Sequence, residues 1–472
     1  MNETAKSKGQ ILADSLTAKK ENVFEKQKDK TDAIFAYAEG YKKFLDQAKT
    51  EREAVSVLIR MAEENGFSAW QLGKPVKKGG AYYFNNRGKN LFLFRVGEED
   101  IEKDGVRIMA AHIDSPRLDL KQNPVYEDSG MCFFKTHYYG GIKKYQWTTI
   151  PLSLHGVVIL SDGSEVTVKI GEDESDPIFY INDLLPHLAQ EQSAKPLGTA
   201  IPGEKLNLLV GGLPYPDENV TDKIKLNVLS ILNEKYGIKE DDFVSAEISA
   251  VPAFKARDVG FDRAFIGAYG HDDRVCAYPI ASAIFETDDR RHTTLVILAD
   301  KEEVGSDGNT GMNSIILRDV LDSIASSLGA DPILVRSRST CLSADVTAAY
   351  DPNFADVYET RNSSMISCGT AMCKYTGARG KSSTNDASAE FVGTVRRLFN
   401  ENGVAFQTAE LGKIDLGGGG TVAKYISYIN IDTIDVGVPV ISMHAPYEVI
   451  SKADLYSTYE AFSAFCKLCH KS

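Results

Sequence analysis

The 472-residue sequence contains no apolar run of the about eighteen residues that a membrane-spanning helix requires. Its first residues are polar and lack the apolar segment of a secretory signal. Seven cysteines, an odd number spread along the chain, are typical of reduced thiols and not of a disulfide framework. We therefore expect a cytoplasmic protein that does not enter a membrane.

The sequence also has no block of basic residues. Its 53 Lys and Arg residues face 66 Asp and Glu residues, which gives a formal net charge of −13. Because nucleic-acid binding depends on clustered cations against phosphates, we expect no nucleic-acid partner. A hydrophobic content of 43% and a charged content of 25% predict an ordinary globular protein with a sizeable core.

A cysteine pattern near the C-terminus has the spacing of a haem-attachment site, but its context does not support that function. Cys466, Cys469 and His470 have the spacing used for covalent haem attachment, and the two cysteines that of a redox pair. The pattern lies on a helix-like run, no export signal precedes it, and no second cysteine pair follows. We therefore expect neither haem nor a zinc knuckle there.

Strand and helix patterns alternate in the outer parts of the chain, after a polar arm of about twenty-five residues. Between residues 122 and 252, short alternating segments separated by Gly and Asp predict a β-rich module. The sequence therefore predicts an α/β catalytic domain, residues 1–121 plus 253–472, with a mostly parallel central sheet flanked by helices. Residues 122–252 form the inserted domain in this prediction.

A buried strand, residues 293–299, leads directly into Asp300, Lys301, Glu302 and Glu303. Open α/β folds bind their ligands at the carboxyl ends of such strands. Two adjacent carboxylates repel each other, so a common site usually needs a cation or a shared proton. Taken alone, such a pair is more often a solvated acidic turn.

Four further segments place candidate ligands near apolar runs. His112 ends a strand, and Asp114 can return to its imidazole and fix the tautomer. Asp272 and Asp273 precede an apparently amphipathic helix, where only one is needed for capping. Asp345 follows an apolar run at residues 332–335, and a second His follows the run at 433–442. Each His and Asp345 alone is more often structural, whereas the Asp pair fits a structural and a functional role equally well.

Together these residues supply two imidazoles and three carboxylates, one of them bridging, which is enough for two divalent ions of the zinc type. One Glu is then left as a general base for water. The set consists of His112, Asp272, Glu302, Glu303, Asp345 and His444.

These motifs in this order resemble the aspartyl aminopeptidases, a family of dinuclear zinc exopeptidases. The resemblance runs from about residue 80 to the C-terminus. It rests on Ala-Ala-His112-Ile-Asp-Ser-Pro-Arg-Leu, Asp272-Asp-Arg-Val-Cys-Ala-Tyr, Asp-Lys-Glu302-Glu303-Val-Gly-Ser, Ser-Ala-Asp345 and Met-His444-Ala-Pro-Tyr-Glu.

The resemblance implies a role for each of these positions. His112 and Asp345 would hold one zinc, Glu303 and His444 the other, and Asp272 would bridge the two ions. Glu302 would be the base, and Asp114 would orient His112. Zinc is the expected metal, with cobalt and manganese as alternatives.

The resemblance also implies that the inserted domain is a lid and dimerisation domain. Its His187 would reach the active site of a neighbouring subunit in a tetrahedral homododecamer built from dimers. Lys374 or Lys381 would read an acidic substrate side chain. The Gly-Lys-Ser around Lys381 is not a phosphate loop, because Tyr375 stands where that motif needs its first glycine. Residues 138–147 and 374–383 depart from the usual family pattern.

The sequence thus predicts a cytosolic aminopeptidase that removes N-terminal, preferably acidic, residues from peptides. An aminopeptidase for neutral residues, or a metallo-deacylase on the same scaffold, is the first alternative. A catalytically silent scaffold that uses the assembly for binding is the second.

Overall fold

The computed structural model describes residues 6–469, which form three β-sheets and their covering helices. The strands are β1 (Ser68–Ala69), β2 (Ala81–Asn86), β3 (Asn90–Arg95), β4 (Val106–His112), β5 (Arg117–Asp128), β6 (Met131–Tyr139), β7 (Leu152–Ile159), β8 (Glu165–Ile170), β9 (Tyr180–Ile181), β10 (Leu208–Gly211), β11 (Ala246–Pro252), β12 (Arg257–Val259), β13 (Phe265–Ala268), β14 (Thr293–Ala299), β15 (Thr340–Ser343), β16 (Thr347–Ala348), β17 (Thr370–Cys373), β18 (Phe406–Thr408), β19 (Asp432–Gly437), β20 (Pro439–Ile441) and β21 (Glu448–Ser451). The α-helices are α1 (Lys8–Leu16), α2 (Val23–Lys26), α3 (Thr31–Gln47), α4 (Glu51–Glu64), α5 (Ile101–Asp104), α6 (Gln190–Ser193), α7 (Leu197–Ala200), α8 (Lys223–Tyr236), α9 (His271–Glu286), α10 (Ile316–Ser327), α11 (Pro332–Arg338), α12 (Ala389–Glu401), α13 (Ala423–Ser427) and α14 (Lys452–Cys466).

The largest sheet, sheet A, has nine strands in the order β1-β2-β3-β14-β4-β15-β19-β17-β18. Five of its eight pairings are parallel, so the predicted mostly parallel central sheet is confirmed. Strands β4 and β14 are buried along their whole length, as their continuous apolar sequences predict for central strands. Helices α3, α4, α9, α12 and α14 pack on one face, and α10 packs on the other.

Sheet B contains seven strands, β5 to β11, which are all paired antiparallel and have a core of their own. Its strands lie between Arg117 and Pro252. The alternating apolar pattern that predicted a β-rich module in this part of the chain corresponds to these strands.

Sheet C, formed by β12, β13, β21, β20 and β16, was not predicted. The sequence suggested that strands after residue 253 continue the parallel sheet, but four of these five pair mainly antiparallel with one another. Strands of two to four residues carry too little pattern to indicate their partners. Sheet C positions two of the candidate ligands.

The apolar run at 332–335, to which the sequence analysis assigned no secondary structure, belongs to helix α11, which begins with Pro332 and is capped by the Asp331 side chain. One local prediction was wrong. Helix α9 is not amphipathic but buried on nearly all sides, because it lies between sheet A, α3 and α14.

The two ends of the described chain bear on the predicted polar arm and on the C-terminal cysteine pattern. Helix α1 of the predicted polar arm has no buried residue, whereas Val23 is buried. Cys466 is buried and Cys469 is exposed, and His470 lies outside the described residues. Among the described helices, none has the length and apolar content needed to cross a membrane.

Candidate metal centre

Three segments of the site leave the same edge of sheet A. Strand β4 ends at His112, β14 leads into the short 3-10 turn Glu302–Val304, and β15 ends two residues before Asp345. Because β14, β4 and β15 are parallel neighbours, their carboxyl ends meet at this edge. Sheet topology thus brings together residues that are far apart in sequence.

The remaining two candidate ligands come from sheet C and not from the parallel sheet. Asp272 follows β13 at the start of α9, where its backbone angles are not yet helical. His444 lies between β20 and β21 with a positive φ of 65°. Strands β13 and β21 are paired, with Ala268 opposite Glu448, and this pairing places the two segments side by side. The expectation of a single parallel edge is therefore wrong for these two residues.

His112 and Asp272 are at the centre of the cluster. The Nε2 atom of His112 lies 3.1 Å from Asp272 Oδ1 and 3.8 Å from Asp345 Oδ1. The other Asp272 oxygen, Oδ2, lies 3.2 Å from His444 Nε2, which is also 3.3 Å from Glu303 Oε2. The Asp272 carboxylate therefore presents one oxygen to each half of the cluster.

The cluster fits a metal because buried donor atoms converge without hydrogen-bonding one another. His112 Nε2, Asp272 Oδ1 and Glu303 Oε1 are buried and have no hydrogen-bond partner, and the same holds for both Asp273 oxygens. Buried polar atoms are rarely left unpaired. Imidazole nitrogens and carboxylate oxygens are ligands that zinc accepts.

Three overlapping groups of one His and two carboxylates have ligand atoms within 4.8 Å of one another. They are His112 with Asp273 and Asp345, His112 with Glu302 and Glu303, and His444 with Asp272 and Glu303. The first group adds Asp273, whereas the family resemblance assigns a metal-ligand role to Asp272 alone of the two adjacent acids.

The site concentrates negative charge away from water. Burial raises the pKa of Glu302 to about 7. Burial, and after it the charge of Asp272, raises the pKa of Glu303, and burial also raises that of Asp345. These shifts show that the carboxylates are held in an environment that disfavours their charged forms unless cations are present.

Asp114 connects the two glutamates with His112. His112 Nδ1 hydrogen-bonds the Asp114 backbone carbonyl at 3.1 Å and lies 3.2 Å from the Asp114 Oδ1 atom. The Asp114 carboxylate also accepts hydrogen bonds from the backbone N–H groups of Glu302, at 3.1 Å, and Glu303, at 3.2 Å. The Tyr139 hydroxyl donates to it at 2.8 Å. Asp114 thus fixes the acidic turn as well as the imidazole.

Glu448 was missed by the sequence analysis, although it ends the Met-His444-Ala-Pro-Tyr-Glu motif. It accepts the backbone N–H of Asp272 at 3.1 Å and that of His444 at 2.7 Å. Burial raises its pKa to about 8. Only the strand pairing that joins β13 to β21 reveals this contact. His444 Nδ1 in turn donates to the Gly141 carbonyl at 2.8 Å.

A cavity of about 400 Å³ opens onto Asp272, Glu302, Glu303, Asp345 and His444. The glycine-rich segment at residues 418–420 forms one wall. A second cavity of about 790 Å³ adjoins it, and Thr376, Leu411 and Gly418 line both.

Three predicted site residues lie away from this cluster. His187 is exposed on the 3-10 turn Pro186–Leu188. Lys374 and Lys381 both pair with Asp386, at 3.6 and 3.0 Å, and only Lys381 lines the second cavity. The roles of these three residues stay predictions.

The fold and the cluster define a metal-dependent hydrolase of the α/β class. The family model described as aminopeptidase I zinc metalloprotease (M18) matches residues 44–466, and the chain belongs to this peptidase family. A probable M18 family aminopeptidase 1 from Clostridium acetobutylicum is 47% identical over 463 residues, 96% of this chain and 99% of the relative. The predicted resemblance and the assignment as a zinc metallo-aminopeptidase are confirmed.

Solved structures show the same fold. The M18 aminopeptidase from Thermotoga maritima has a TM-score of 0.91 at 45% identity and covers 95% of this chain and 99% of its own. A yeast structure described as the mApe1 dodecamer has a TM-score of 0.75 at 20% identity, over 91% of this chain and 96% of that one. At that identity the second likeness establishes the fold alone.

Proposed function

We propose that this chain is a cytoplasmic aminopeptidase that works with two zinc ions. The observation that carries the proposal is the Asp272 carboxylate, whose oxygens lie 3.1 and 3.2 Å from the imidazoles of His112 and His444. In this arrangement His112 and Asp345 would hold one ion, Glu303 and His444 would hold the other, and Asp272 would be shared by both. Cobalt or manganese could use the same ligands.

Bound at this position, the two ions would polarise the scissile carbonyl and stabilise the developing negative charge. Glu302 supplies the proton transfer. Its Oε2 lies 4.0 Å from His112 Nε2, so at this position it would take a proton from water and return it to the leaving amine. Asp114 holds the Glu302 backbone in place through the N–H contact.

A cytoplasmic location is supported by the cysteines, all seven of which are free thiols. Such usage is typical of a reducing compartment.

The preferred N-terminal residue has two candidates. An acidic residue would be read by Lys374 or Lys381, as the family resemblance implies. However, among the described residues no Lys or Arg lines the cavity at the metal cluster, whose remaining walls include Val346, Leu411 and Met443. This lining favours the alternative, an uncharged N-terminal residue, whereas Arg379, Lys381 and Lys413 in the adjoining cavity favour an acidic one.

The proposed assembly is a tetrahedral dodecamer built from dimers, with residues 122–252 as the lid and dimerisation domain. The remaining residues, 1–121 plus 253–472, form the catalytic domain in this proposal. Exposed Leu184, Leu185 and Leu188 flank His187 and form an apolar surface suited to an interface. The related fold of the yeast dodecamer is consistent with this arrangement.

One experiment tests the activity and its specificity together. The purified chain, loaded with zinc, cobalt or manganese, is assayed on aspartyl, glutamyl, leucyl and N-acetyl-leucyl peptides, and its metal content is counted. We expect about two ions per chain and cleavage only of free N-termini.

Preference for aspartyl over leucyl substrates would support the two lysines as readers, and the reverse would support the neutral alternative. Cleavage of the N-acetyl substrate would indicate a deacylase. Less than one ion per chain with no hydrolysis of any substrate would contradict the proposal and favour a scaffold.

A further inference from the structure

A nucleophile, an imidazole and a carboxylate form a second cluster at the other edge of sheet A. Its His292 directly precedes β14, and its Arg107 stands near the start of β4, whereas the metal cluster follows the other ends of these strands. Seven residues of strand extend about 20 Å. The metal site therefore cannot account for this cluster.

The three groups are aligned as a nucleophile, a base and a group that orients the base. Cys469 Sγ lies 3.4 Å from His292 Nε2, and His292 Nδ1 lies 2.6 Å from Asp104 Oδ2. His292 Nδ1 also lies 3.2 Å from Arg107 Nη2, but the Asp104 contact is shorter. Because a carboxylate can only accept, this shorter contact assigns the proton to Nδ1 and leaves Nε2 to accept from the thiol. A thiol in contact with an oriented imidazole is an activated nucleophile.

The surroundings hold this arrangement in place. The His292 side chain is only 7% exposed. Asp104 also accepts from the fully buried Arg107 guanidinium, at 2.8 Å. The Arg291 Nη1 atom lies 3.6 Å from Cys469 Sγ, and the same guanidinium pairs with Asp289 at 2.7 Å, which fixes its position beside the sulfur.

Cys469 differs from the other six cysteines in being exposed. Five of them are buried, and Cys368 is partly exposed. Cys466, three residues earlier, packs its Sγ 3.9 Å from Met109 Sδ inside the core and cannot act as a resolving thiol. The Cys-x-x-Cys spacing is therefore not a redox pair in this fold.

We propose that Cys469 is a reactive thiol at which the protein is modified by disulfides of low molecular weight. His292 takes the thiol proton, and the thiolate attacks one sulfur of the disulfide. The disulfide bond breaks, a mixed disulfide forms on Cys469, and the leaving thiolate receives the proton from His292. One disulfide thus yields one modified protein and one free thiol.

The test treats the native chain with an aromatic disulfide, dithio-bis-nitrobenzoate, and follows release of the coloured thiolate. We expect one fast equivalent per chain, and peptide mass analysis should locate the adduct on Cys469. Cys469→Ser should abolish the fast phase, whereas the matched variant Cys368→Ser should retain it. A fast phase that survives Cys469→Ser would overturn the assignment.

His292→Gln tests the base. The fast phase should slow by about tenfold or more in a variant whose melting temperature shows that it is folded. If that variant does not fold, the wild-type rate is compared with that of N-acetylcysteine at the same pH. A wild-type rate no higher than that of N-acetylcysteine, or no effect of the substitution, would show an ordinary surface thiol and contradict the proposal.

Discussion

Two fully buried histidines in this molecule each lie between two carboxylates. His112 Nδ1 and Nε2 are 3.2 and 3.1 Å from Asp114 and Asp272. His155 Nδ1 and Nε2 are 2.8 and 3.1 Å from Glu53 and Glu172. The first His belongs to the metal cluster at the edge of sheet A, and the second lies where β7 of sheet B meets helix α4.

The difference between the two sites is charge balance. Near His155, Glu172 also pairs with Lys49 and Lys255, both at 2.7 Å, so cations of the chain neutralise its carboxylates. Near His112, no ion pair with Lys or Arg is found for Asp272, Glu302, Glu303 or Asp345 in residues 6–469. Burying an uncompensated charge is costly, so an excess of carboxylates indicates a site for an external cation. A balanced cluster of the same residue types indicates structural cohesion.

The largest expected effect separates the base from the ligands within the acidic turn. Glu302→Gln should lower kcat by about 10²- to 10⁴-fold, because the group lost transfers protons. The metal content should stay unchanged. Steady-state kinetics and metal analysis of the same preparation measure both quantities.

Glu303→Gln is the matched control for this experiment, and it should lose metal. If metal is lost from Glu302→Gln and retained in Glu303→Gln, the two roles are reversed.

Asp114→Asn should have the next largest effect. The variant has no negatively charged side chain beside the His112 imidazole, so metal affinity or activity should fall by about 10- to 100-fold. Competition with a chelator measures the affinity. Tyr139→Phe, which removes only the hydroxyl donor to Asp114, should change it by a few-fold at most. Equal effects of the two variants would mean that Asp114 acts mainly through Tyr139.

At the balanced site, the effect should fall on stability and not on activity. Glu172→Gln leaves His155 and Lys49 short of a buried negative partner, which should lower the free energy of unfolding by about 2 kcal/mol. Chemical denaturation measures it, with the exposed Glu174→Gln as control. A loss of peptidase activity in folded Glu172→Gln would show that the two regions are coupled.

The smallest expected effect is the pH dependence of the stability that Glu172 and His155 contribute. Burial opposes ionisation at both groups, but mutual hydrogen bonds prevail and raise the pKa of His155 above 6.5 and lower that of Glu172 below 4.5. The His155 contribution is complete below pH 6.5 and is lost as pH rises through its folded pKa. The Glu172 contribution is complete above pH 4.5 and is lost on acidification.

The stability difference between wild type and Glu172→Gln should therefore be largest between pH 4.5 and 6.5. Denaturation at a series of pH values measures it. A difference that keeps growing above pH 8 would contradict the assigned charges.

Long apolar strands were predictable with their bounds. The strand predicted at 293–299 is β14, and the strand predicted to end at His112 is β4. Both runs are strongly apolar, so local sequence decides their structure. Sheet C and the helical run at 332–335 were not predictable, because short segments take their conformation from partners and caps.

The candidate ligands were also visible one by one in the sequence, and their chemistry pointed to a divalent metal. Their arrangement was not visible. The pairing of β13 with β21 brings Asp272 beside His444, and the same pairing explains why Glu448 binds both backbones. Contacts between distant segments depend on which strands pair, and residue patterns do not state this.

The sequence by itself therefore determined which donors this protein has and that its acids exceed its cations. Only the tertiary structure decided which buried carboxylates remain without a cation of the chain. At His155 the fold brings Lys49 and Lys255 to the carboxylates, and at His112 it brings none within ion-pair distance of the four cluster acids in the described chain. The physical reason is that charge compensation depends on distance in space, which is set by the packing of the sheets and their covering helices.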